Sequence, residues 1–278
     1  MTADLPQISL VTCSYQQGKY LDATIRSVLD QAYARLEYLI IDGGSTDGSV
    51  DTIRQHSRQL AYWVSEPDQG QTDALIKGFL RSSGEVQGWL CSDDLLLPGG
   101  LDTVGRFFRD NPHVSAMYGD ALWIDAEGLL IRPKREMAFN RFVFLHDHNY
   151  VPQPSMFWRR SLYERVGGLD RSFHLAMDTD LWERFSRVTR IWHLSRYLSC
   201  MRFYPEQKTR RLHGRSREED TLIRLRSRSQ SFFGKIPYPA ARLVARALRI
   251  ASKTVAGGYG TAVPQESMSQ LGKYIVNR

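Results

Sequence analysis

The sequence has few cysteines and no long hydrophobic run. Its three cysteines, Cys13, Cys91 and Cys200, lie far apart and form no CxxC pair, which excludes a disulfide framework and favours a reducing compartment. No apolar run reaches the roughly 18 residues that cross a bilayer. The first residues contain no charged stretch followed by a long apolar one, so the sequence predicts no signal peptide. We therefore expect a cytoplasmic protein without an integral membrane span.

Two common nucleotide-binding motifs are also absent. Neither the GxGxxG of a Rossmann dinucleotide site nor a Walker A sequence occurs. What is present is an ordinary globular composition, because 42% of the 278 residues are hydrophobic and 24% are charged. This composition excludes disorder as the main state and provides a buried core for one or two domains.

The positive charge is confined to the last quarter of the chain. The whole sequence has a formal net charge of +7, from 37 Lys and Arg against 30 Asp and Glu. Residues 205–278 hold 15 basic and 5 acidic residues, a net of +10, which leaves 22 basic and 25 acidic residues, a net of −3, for residues 1–204. We therefore predict a domain over residues 1–205 and a basic helical extension over 206–278.

Strand-like apolar runs alternate with helical patterns in the first part of the chain. The strand-like runs are residues 8–13, 36–41, 61–65 and 86–91. Such alternation predicts right-handed crossovers and a mainly parallel sheet flanked by helices, an α/β fold. Ligands bind beyond the carboxyl ends of the strands in sheets of this kind, so the predicted site is formed by the loops at Ser14, Asp42, Glu66 and Ser92.

Two adjacent carboxylates, Asp93 and Asp94, directly follow the last of these strands. Their charges repel, so keeping both ionised favours a bound cation. Hard divalent ions such as Mg²⁺ take oxygen ligands and pair with phosphates, which predicts a metal–diphosphate site. A turn or a helix cap, where Asp is also common, is the alternative interpretation.

The loop after the second strand reads Asp-Gly-Gly-Ser-Thr-Asp-Gly-Ser from Asp42. Its glycines allow the backbone to approach a ligand closely. Ser45 or Asp47 could cap the following helix, whose N-terminus favours anions. A capping turn without a ligand is the alternative.

Taken together, these segments resemble the family 2 glycosyltransferases of the GT-A fold. The resemblance runs in order from about residue 8 to 209 and rests on six stretches whose order and spacing together are specific. These are VTCSYQQGKYLDATIRSVLDQAY, LEYLIIDGGSTDGS, WVSEPDQGQTDALIKG, GWLCSDDLLLPGGL, VPQPSMFWRR and AMDTDLWERF. The resemblance implies sugar transfer from a nucleotide-diphosphate donor, with Mg²⁺ or Mn²⁺ and with inversion at the anomeric carbon. It also implies a nucleotide-binding half over about 6–110 and an acceptor half over about 111–205.

The resemblance also implies roles for individual residues. Asp94 matches the metal ligand of the DxD-type motif, and Asp93 matches the position that contacts the metal or the donor ribose. Tyr15 and Asp42 match the first nucleotide-facing loops. Asp68 matches an acid that helps to bind the base or the ribose.

Asp178 matches the acid that serves as the catalytic base of the family. A carboxylate that accepts the proton of the acceptor hydroxyl, opposite the leaving group, suits a single displacement with inversion. Its pKa need rise only modestly for this role, through partial burial beside Leu181 and Trp182. Asp180 lies two residues on, and the sequence leaves an exchange of roles open. A helix cap is the structural alternative for Asp178.

The chain departs from the family pattern in two places. Many relatives carry an acid after Asp42 that reads the uracil edge, whereas this chain has Gly43, so the donor base stays undetermined. The QxxRW motif of the processive polysaccharide synthases is absent, as are their membrane spans, which favours a single transfer over polymerisation.

Two further groups of side chains are candidates for a metal or sugar site. His146 and His148 are predicted to share one face of a strand, but spacing shows no third ligand, so we do not expect zinc. Trp89, Trp158 and Trp182 are predicted core residues.

The extension contains a predicted amphipathic helix between Pro239 and Gly257. Arg242, Arg246, Arg249 and Lys253 fall on one stripe of this helix, opposite an apolar side. It would either lie on an anionic membrane or pack on the catalytic domain with a solvated basic face.

The sequence therefore predicts a metal-assisted, inverting glycosyltransferase of cell-envelope polysaccharide or glycolipid synthesis. It would be cytoplasmic and peripheral on the inner face of the membrane, where a saccharide or a lipid-linked molecule is the acceptor. Three alternatives stay open: an inactive nucleotide-sugar-binding protein, a nucleotidyltransferase, and a nucleic-acid-binding protein that uses the basic extension. We do not expect nucleic acid, because no recognised nucleic-acid module is present.

Overall fold

The structure, a computed structural model, describes residues 5–229 and 236–260. Everything below concerns this part of the chain. The predictions made for the first four residues and for residues 230–235 and 261–278 of the extension lie outside it.

Nine strands of the described chain form one sheet. Its order is β3-β2-β1-β4-β8-β6-β9-β5, and β7 pairs with β6 at the side. The strands are β1 Ile8–Ser14, β2 Leu36–Asp42, β3 Tyr62–Ser65, β4 Val86–Cys91, β5 Leu95–Leu96, β6 Ala116–Ile124, β7 Leu130–Lys134, β8 Met156–Arg159 and β9 Ile191–Arg202.

The first four strands in the sheet order form its parallel half. β1 pairs in parallel with β2 and β4, and β2 pairs in parallel with β3. All residues of β1 are buried because helices cover both faces of the sheet. The predicted alternation of strands and helices is confirmed here. The helices of the first half are α1 Gly18–Leu29, α2 Ser49–His56, α3 Gln71–Arg81 and α4 Gly100–Asp110.

The second half of the sheet is mixed rather than parallel. β8 pairs antiparallel with β4 and β6, and β7 closes a hairpin with β6, whereas β9 runs parallel to β6. The hairpin turns between Ile124 and Leu130. A local apolar pattern predicts a strand but not its partner, so the mixed pairing was not predicted.

The remaining helices surround the second half of the sheet. They are α5 Arg141–His146, α6 Arg160–Arg165, α7 Met177–Val188, α8 Lys208–Arg211, α9 His213–Ser229 and α10 Tyr238–Val255. The strand predicted at His146 and His148 is wrong, because α5 ends at His146. The His146 side chain is buried, and its Nδ1 lies 2.8 Å from the Phe142 carbonyl oxygen.

Three tryptophans form the centre of the larger core. The rings of Trp89, Trp158 and Trp182 lie 5.3 to 5.5 Å apart, centroid to centroid, and each side chain is at most 1% exposed. Their prediction as core residues is confirmed. They pack β4 and β8 against α7, which fixes the position of the start of α7 relative to the end of β4.

The extension helices pack on the catalytic domain through charged residues. In α10, Ala241 and Ala245 are buried, and α10 contacts α5. Lys253 donates to Glu136 at 2.8 Å, and Arg249 forms an ion pair with Asp147. Half of the basic stripe predicted for this helix therefore faces inward, and the predicted solvated basic face is only partly correct.

Candidate functional site

Asp42 organises the loop after β2. Its carboxylate is fully buried and accepts hydrogen bonds from the backbone of Gly44 and Ser45 and from the hydroxyls of Ser45 and Ser65. These four donors satisfy the carboxylate within the protein, without a ligand. The structure thus places this predicted nucleotide-binding residue beneath the loop surface.

Tyr15 and Asp68 lie together over the buried Gly43. A Cβ atom added to Gly43 would lie 2.8 Å from the Asp68 carboxylate and 3.2 Å from the Tyr15 ring. The Tyr15 side chain is 62% exposed, and the Asp68 carboxylate also accepts the Gly70 N–H at 2.7 Å. The carboxylate of Asp68 therefore occupies the space in which a side chain at position 43 would stand.

Asp93 and Asp94 lie beyond the end of β4 and are almost completely buried. Burial raises the pKa of Asp94 well above its ordinary value, and the charge of Asp93 raises it further. Burial also raises the pKa of Asp93. Oxygen atoms of both carboxylates and the sulfur of Cys91 all lie within 4.8 Å of one another.

Two residues at the end of β9 hold this acidic pair. The backbone N–H of Arg202 donates to Asp94 at 2.8 Å, and its guanidinium donates to the Asp93 carbonyl at 2.8 Å. The Tyr204 hydroxyl donates to the Asp93 carboxylate at 3.0 Å. Sequence reasoning missed both residues, because more than a hundred residues separate them from the acids and no spacing signal connects them.

The acidic pair fits a divalent cation. Burial raises the pKa of both carboxylates, and the charge of Asp93 adds to the rise at Asp94, so a bound cation would stabilise the ionised pair. The Arg202 N–H donates to one carboxylate oxygen of Asp94, and no donor from the described residues contacts the other oxygen. Such an oxygen donor set suits Mg²⁺ or Mn²⁺, whereas the Cys91 thiol is a soft ligand that these ions do not prefer.

Asp178 is the second residue of α7 and is partly buried. Its carboxylate accepts the Thr179 N–H at 2.7 Å and the Asn149 side-chain amide at 3.0 Å. Burial raises the pKa of Asp178 to about 6, against the opposing effect of the Thr179 hydrogen bond. A carboxylate with this pKa accepts a proton near neutral pH, which is what a general base needs.

Asp180 has the opposite environment. It is fully buried and forms ion pairs with Arg184, at 2.6 Å, and with Arg226 of α9. Both of its oxygens are therefore engaged by guanidinium groups. Of the two acids that the sequence left open, only Asp178 has a carboxylate without a basic partner in the described contacts.

The loop before α7 is held by the extension. The Glu219 carboxylate of α9 accepts the backbone N–H groups of His174, Leu175 and Ala176 at 2.8 to 3.2 Å. Lys208 Nζ donates to the His174 carbonyl at 2.9 Å. The Glu219 carboxylate thus binds a loop more than forty residues away, which no local sequence pattern could reveal.

The same loop contacts the nucleotide-facing half. The Thr72 hydroxyl, at the start of α3, donates to the Phe173 carbonyl at 2.6 Å. This contact joins the loop before Asp178 to the loop that carries Asp68. The predicted site residues thus lie at the carboxyl ends of β1 to β4 and in the first turn of α7.

The sequence match decides the family. Residues 9–167, more than half of the chain, match the family described as glycosyl transferase family 2. The chain belongs to glycosyl transferase family 2. The resemblance stated from the six sequence stretches is confirmed.

Relatives of this family 2 glycosyltransferase agree with the assignment. A glycosyltransferase of Mycobacterium tuberculosis, described as uncharacterised, is 32% identical over 187 residues, which cover 66% of this chain and 70% of that protein. The chain is therefore an enzyme of the glycosyltransferase class.

Solved glycosyltransferase structures have the same fold. TarS of Staphylococcus aureus, solved with UDP, aligns with a TM-score of 0.64 at 16% identity, over 95% of this chain and 77% of that one. The mannosyltransferase PcManGT of Pyrobaculum calidifontis, solved with GDP-Man and Mn²⁺, aligns with a TM-score of 0.62 at 15% identity, over 98% and 81%. The GT-A fold predicted for this family 2 glycosyltransferase is confirmed.

Proposed function

We propose that the enzyme transfers one sugar from a nucleotide-diphosphate donor to an acceptor hydroxyl, with inversion and with help from a divalent cation. The observation that carries this proposal is Asp178. Its carboxylate has a pKa of about 6, has no basic partner in the described contacts and is positioned by Asn149 and Thr179. A single poised base, two residues from an Asp180 whose oxygens are held by Arg184 and Arg226, suits one displacement rather than two.

The donor would bind across the loops after β1, β2 and β3. Tyr15 and Asp68 form the exposed surface, and Asp42 shapes it from below. Because Asp68 fills the space above Gly43, it would supply the carboxylate that many relatives carry at that position. The nucleotides of the two solved neighbours, UDP and GDP-Man, support a nucleotide-sugar donor but leave its base open.

Asp93 and Asp94 would hold the divalent cation, which would neutralise charge on the departing diphosphate. Arg202 and Tyr204 keep the two carboxylates in place through the contacts described above. The Mn²⁺ of the PcManGT structure supports a cation requirement.

The acceptor would be a saccharide or a lipid-linked saccharide of the cell envelope. This part of the proposal is supported by the basic amphipathic helix of the extension, α10, which suits work beside the cytoplasmic face of a membrane.

A donor screen followed by turnover tests the proposal. Thermal shift with a panel of nucleotide sugars, with and without Mn²⁺, should identify the donor as a stabilising ligand. Asp94→Ala should abolish the Mn²⁺-dependent stabilisation and the turnover, whereas Asp178→Ala should keep donor binding and lose transfer. Full transfer by Asp178→Ala would contradict the assignment of the base.

The products separate the alternatives. Release of a nucleoside diphosphate from a nucleotide sugar on transfer to an acceptor indicates sugar transfer, whereas release of pyrophosphate from a nucleoside triphosphate with a sugar phosphate indicates nucleotidyl transfer. Donor binding without turnover, across a panel of acceptors, would indicate an inactive binding protein. The anomeric configuration of the product, read by NMR, decides between inversion and retention.

A further inference from the structure

The apolar side of α10 faces away from the protein. Leu243, Val244, Leu248, Ile250 and Val255 are between 43% and 90% exposed, whereas Ala241 and Ala245 are buried against the domain. An amphipathic helix of a globular protein ordinarily turns its large apolar side chains inward. This helix packs with its small and charged residues inward and leaves its large aliphatic residues on the surface.

The charged residues of α10 leave the exposed apolar side uninterrupted. At 3.6 residues per turn, Arg242, Arg246, Arg249 and Lys253 fall within an arc of about 60°. Arg249 and Lys253 form ion pairs with Asp147 and Glu136 of the domain. Arg242 and Arg246 are exposed and border the apolar side. The surface thus consists of an aliphatic face with a basic edge.

We propose that this face is a docking surface for an anionic lipid bilayer, in which α10 lies parallel to the membrane plane. The aliphatic side chains would enter the boundary between headgroups and acyl chains, while Arg242 and Arg246 would contact the anionic headgroups. The basic edge complements the charge of such a surface.

The size of the face favours a lipid surface over a second copy of the chain. α10 has 18 residues, so its exposed side is about 27 Å long and about 10 Å wide, or about 300 Å². A stable protein interface needs about 800 Å² on each partner. Insertion into a bilayer has no such minimum, because each buried methylene group contributes separately.

The docking surface does not include the groups assigned to sugar transfer. Vesicle binding can therefore be measured without donor, metal or turnover, so its failure and the failure of the proposed function are distinguishable.

Vesicle co-sedimentation of the full chain tests the proposal. The chain should sediment with vesicles of phosphatidylcholine and phosphatidylglycerol in equal parts, and much less with phosphatidylcholine alone. Leu243→Glu with Leu248→Glu should weaken binding at least about tenfold. Leu80→Glu, at an 80% exposed leucine of α3 outside the extension, is the matched control and should bind like the wild type.

A second pair of variants tests the basic edge. Arg242→Glu with Arg246→Glu should weaken binding to the anionic vesicles at least about tenfold, because each basic residue near such a surface contributes about a fivefold factor. Arg58→Glu, also exposed and outside the extension, should not. Circular dichroism and the thermal midpoint establish that each variant is folded, and Val255→Glu, at a 90% exposed position, replaces the leucine pair if that pair unfolds.

Three results would overturn the proposal. The first is that the wild type does not sediment with anionic vesicles. The second is that the folded leucine variant binds the vesicles like the wild type. The third is that light scattering shows a dimer, which the leucine substitutions convert to a monomer, while the wild type does not bind vesicles.

Discussion

Asp178 and Asp180 lie two residues apart in the first turn of α7 and have opposite electrostatic environments. Asp178 is partly buried with hydrogen bonds from amides, whereas Asp180 is fully buried between Arg184 and Arg226. Burial thus disfavours the ionised form of Asp178, whereas two guanidinium groups contact the carboxylate of Asp180. The same substitution at the two positions should therefore have opposite effects on stability.

We expect Asp178→Asn to stabilise the fold at pH 7 by about 1–2 kcal/mol. A pKa raised from 3.8 to about 6 corresponds to roughly 3 kcal/mol against the ionised form, and Asn retains only part of the hydrogen bonding. Because the folded pKa is the higher one, this cost is absent below about pH 4, develops between pH 4 and 6, and is complete above. Denaturant unfolding at pH 4 and pH 7 measures the difference; a gain that is equal at both pH values would contradict it.

Asp180→Asn should instead destabilise the fold by about 3–5 kcal/mol at pH 7. The substitution leaves the guanidinium groups of Arg184 and Arg226 without their buried counter-charge. The same unfolding measurement serves both variants, and each is the control of the other. Equal stability changes at the two positions would show that their environments do not differ as described.

Gly43→Ala should weaken nucleotide binding. The new methyl group would lie 2.8 Å from the Asp68 carboxylate, which must move for the substitution to fit. Titration calorimetry with the nucleoside diphosphate of the identified donor should show an affinity loss of at least about fivefold, corresponding to about 1 kcal/mol. Gly214→Ala, with nothing within 4 Å of the added atom, is the matched control. Unchanged affinity in Gly43→Ala would remove Asp68 from the donor site.

At the scale of elements, α9 holds the loop that leads into α7. Glu219→Ala should lower the turnover number several-fold and destabilise the fold by about 1–3 kcal/mol, because three backbone N–H groups lose their acceptor. The KM for the donor should not change, since the donor loops do not contact Glu219. Glu218→Ala, at the adjacent exposed residue, should behave like the wild type in steady-state kinetics and unfolding. An increase in donor KM with an unchanged turnover number would contradict a positioning role.

Elements that depend on local patterns were predicted correctly. The strands β1 and β2 follow from apolar runs, and both are where the sequence places them. The contacts of Arg202 with Asp93 and Asp94 were not predicted, because they join residues that are distant in the chain. The periodicity of α10 predicts two unlike sides but not which side faces the domain. Which side of α10 is buried depends on the positions of the acidic residues of the domain.

At the scale of the whole molecule, the basic extension neutralises buried acids of the catalytic domain. Arg226 pairs with Asp180, Lys253 pairs with Glu136, and Ser227 donates to Glu183 at 2.6 Å. The three acids are at most 1% exposed. The composition of the chain changes near residue 205, where the boundary is predicted. The segments on the two sides of this boundary nevertheless share a buried ionic interface.

A chain that ends at residue 205 should be much less stable than the full chain. The truncation removes one of the two basic partners of each of two buried acids, so that Asp180 keeps only Arg184 and Glu136 keeps only Lys134. Each lost hydrogen bond between charged groups costs about 1–3 kcal/mol. We expect the thermal midpoint to fall by about 10 °C or more. A chain that ends at residue 260 retains α10 and is the control. An unchanged midpoint for residues 1–205 would show that this segment is an independent folding unit.

The segment from Asp147 to Asn149 connects α10, the proposed membrane-docking helix, with Asp178, the proposed catalytic base. Asp147 forms the ion pair with Arg249 of α10, and Asn149 donates to Asp178. If docking of α10 on lipid shifts this segment and so changes the acidity of Asp178, thermodynamic reciprocity requires that protonation of Asp178 change the affinity for lipid by the same factor. The protonation of Asp178 and the binding of α10 to lipid would then be coupled, so a change in local pH would change the fraction of protein bound to the membrane.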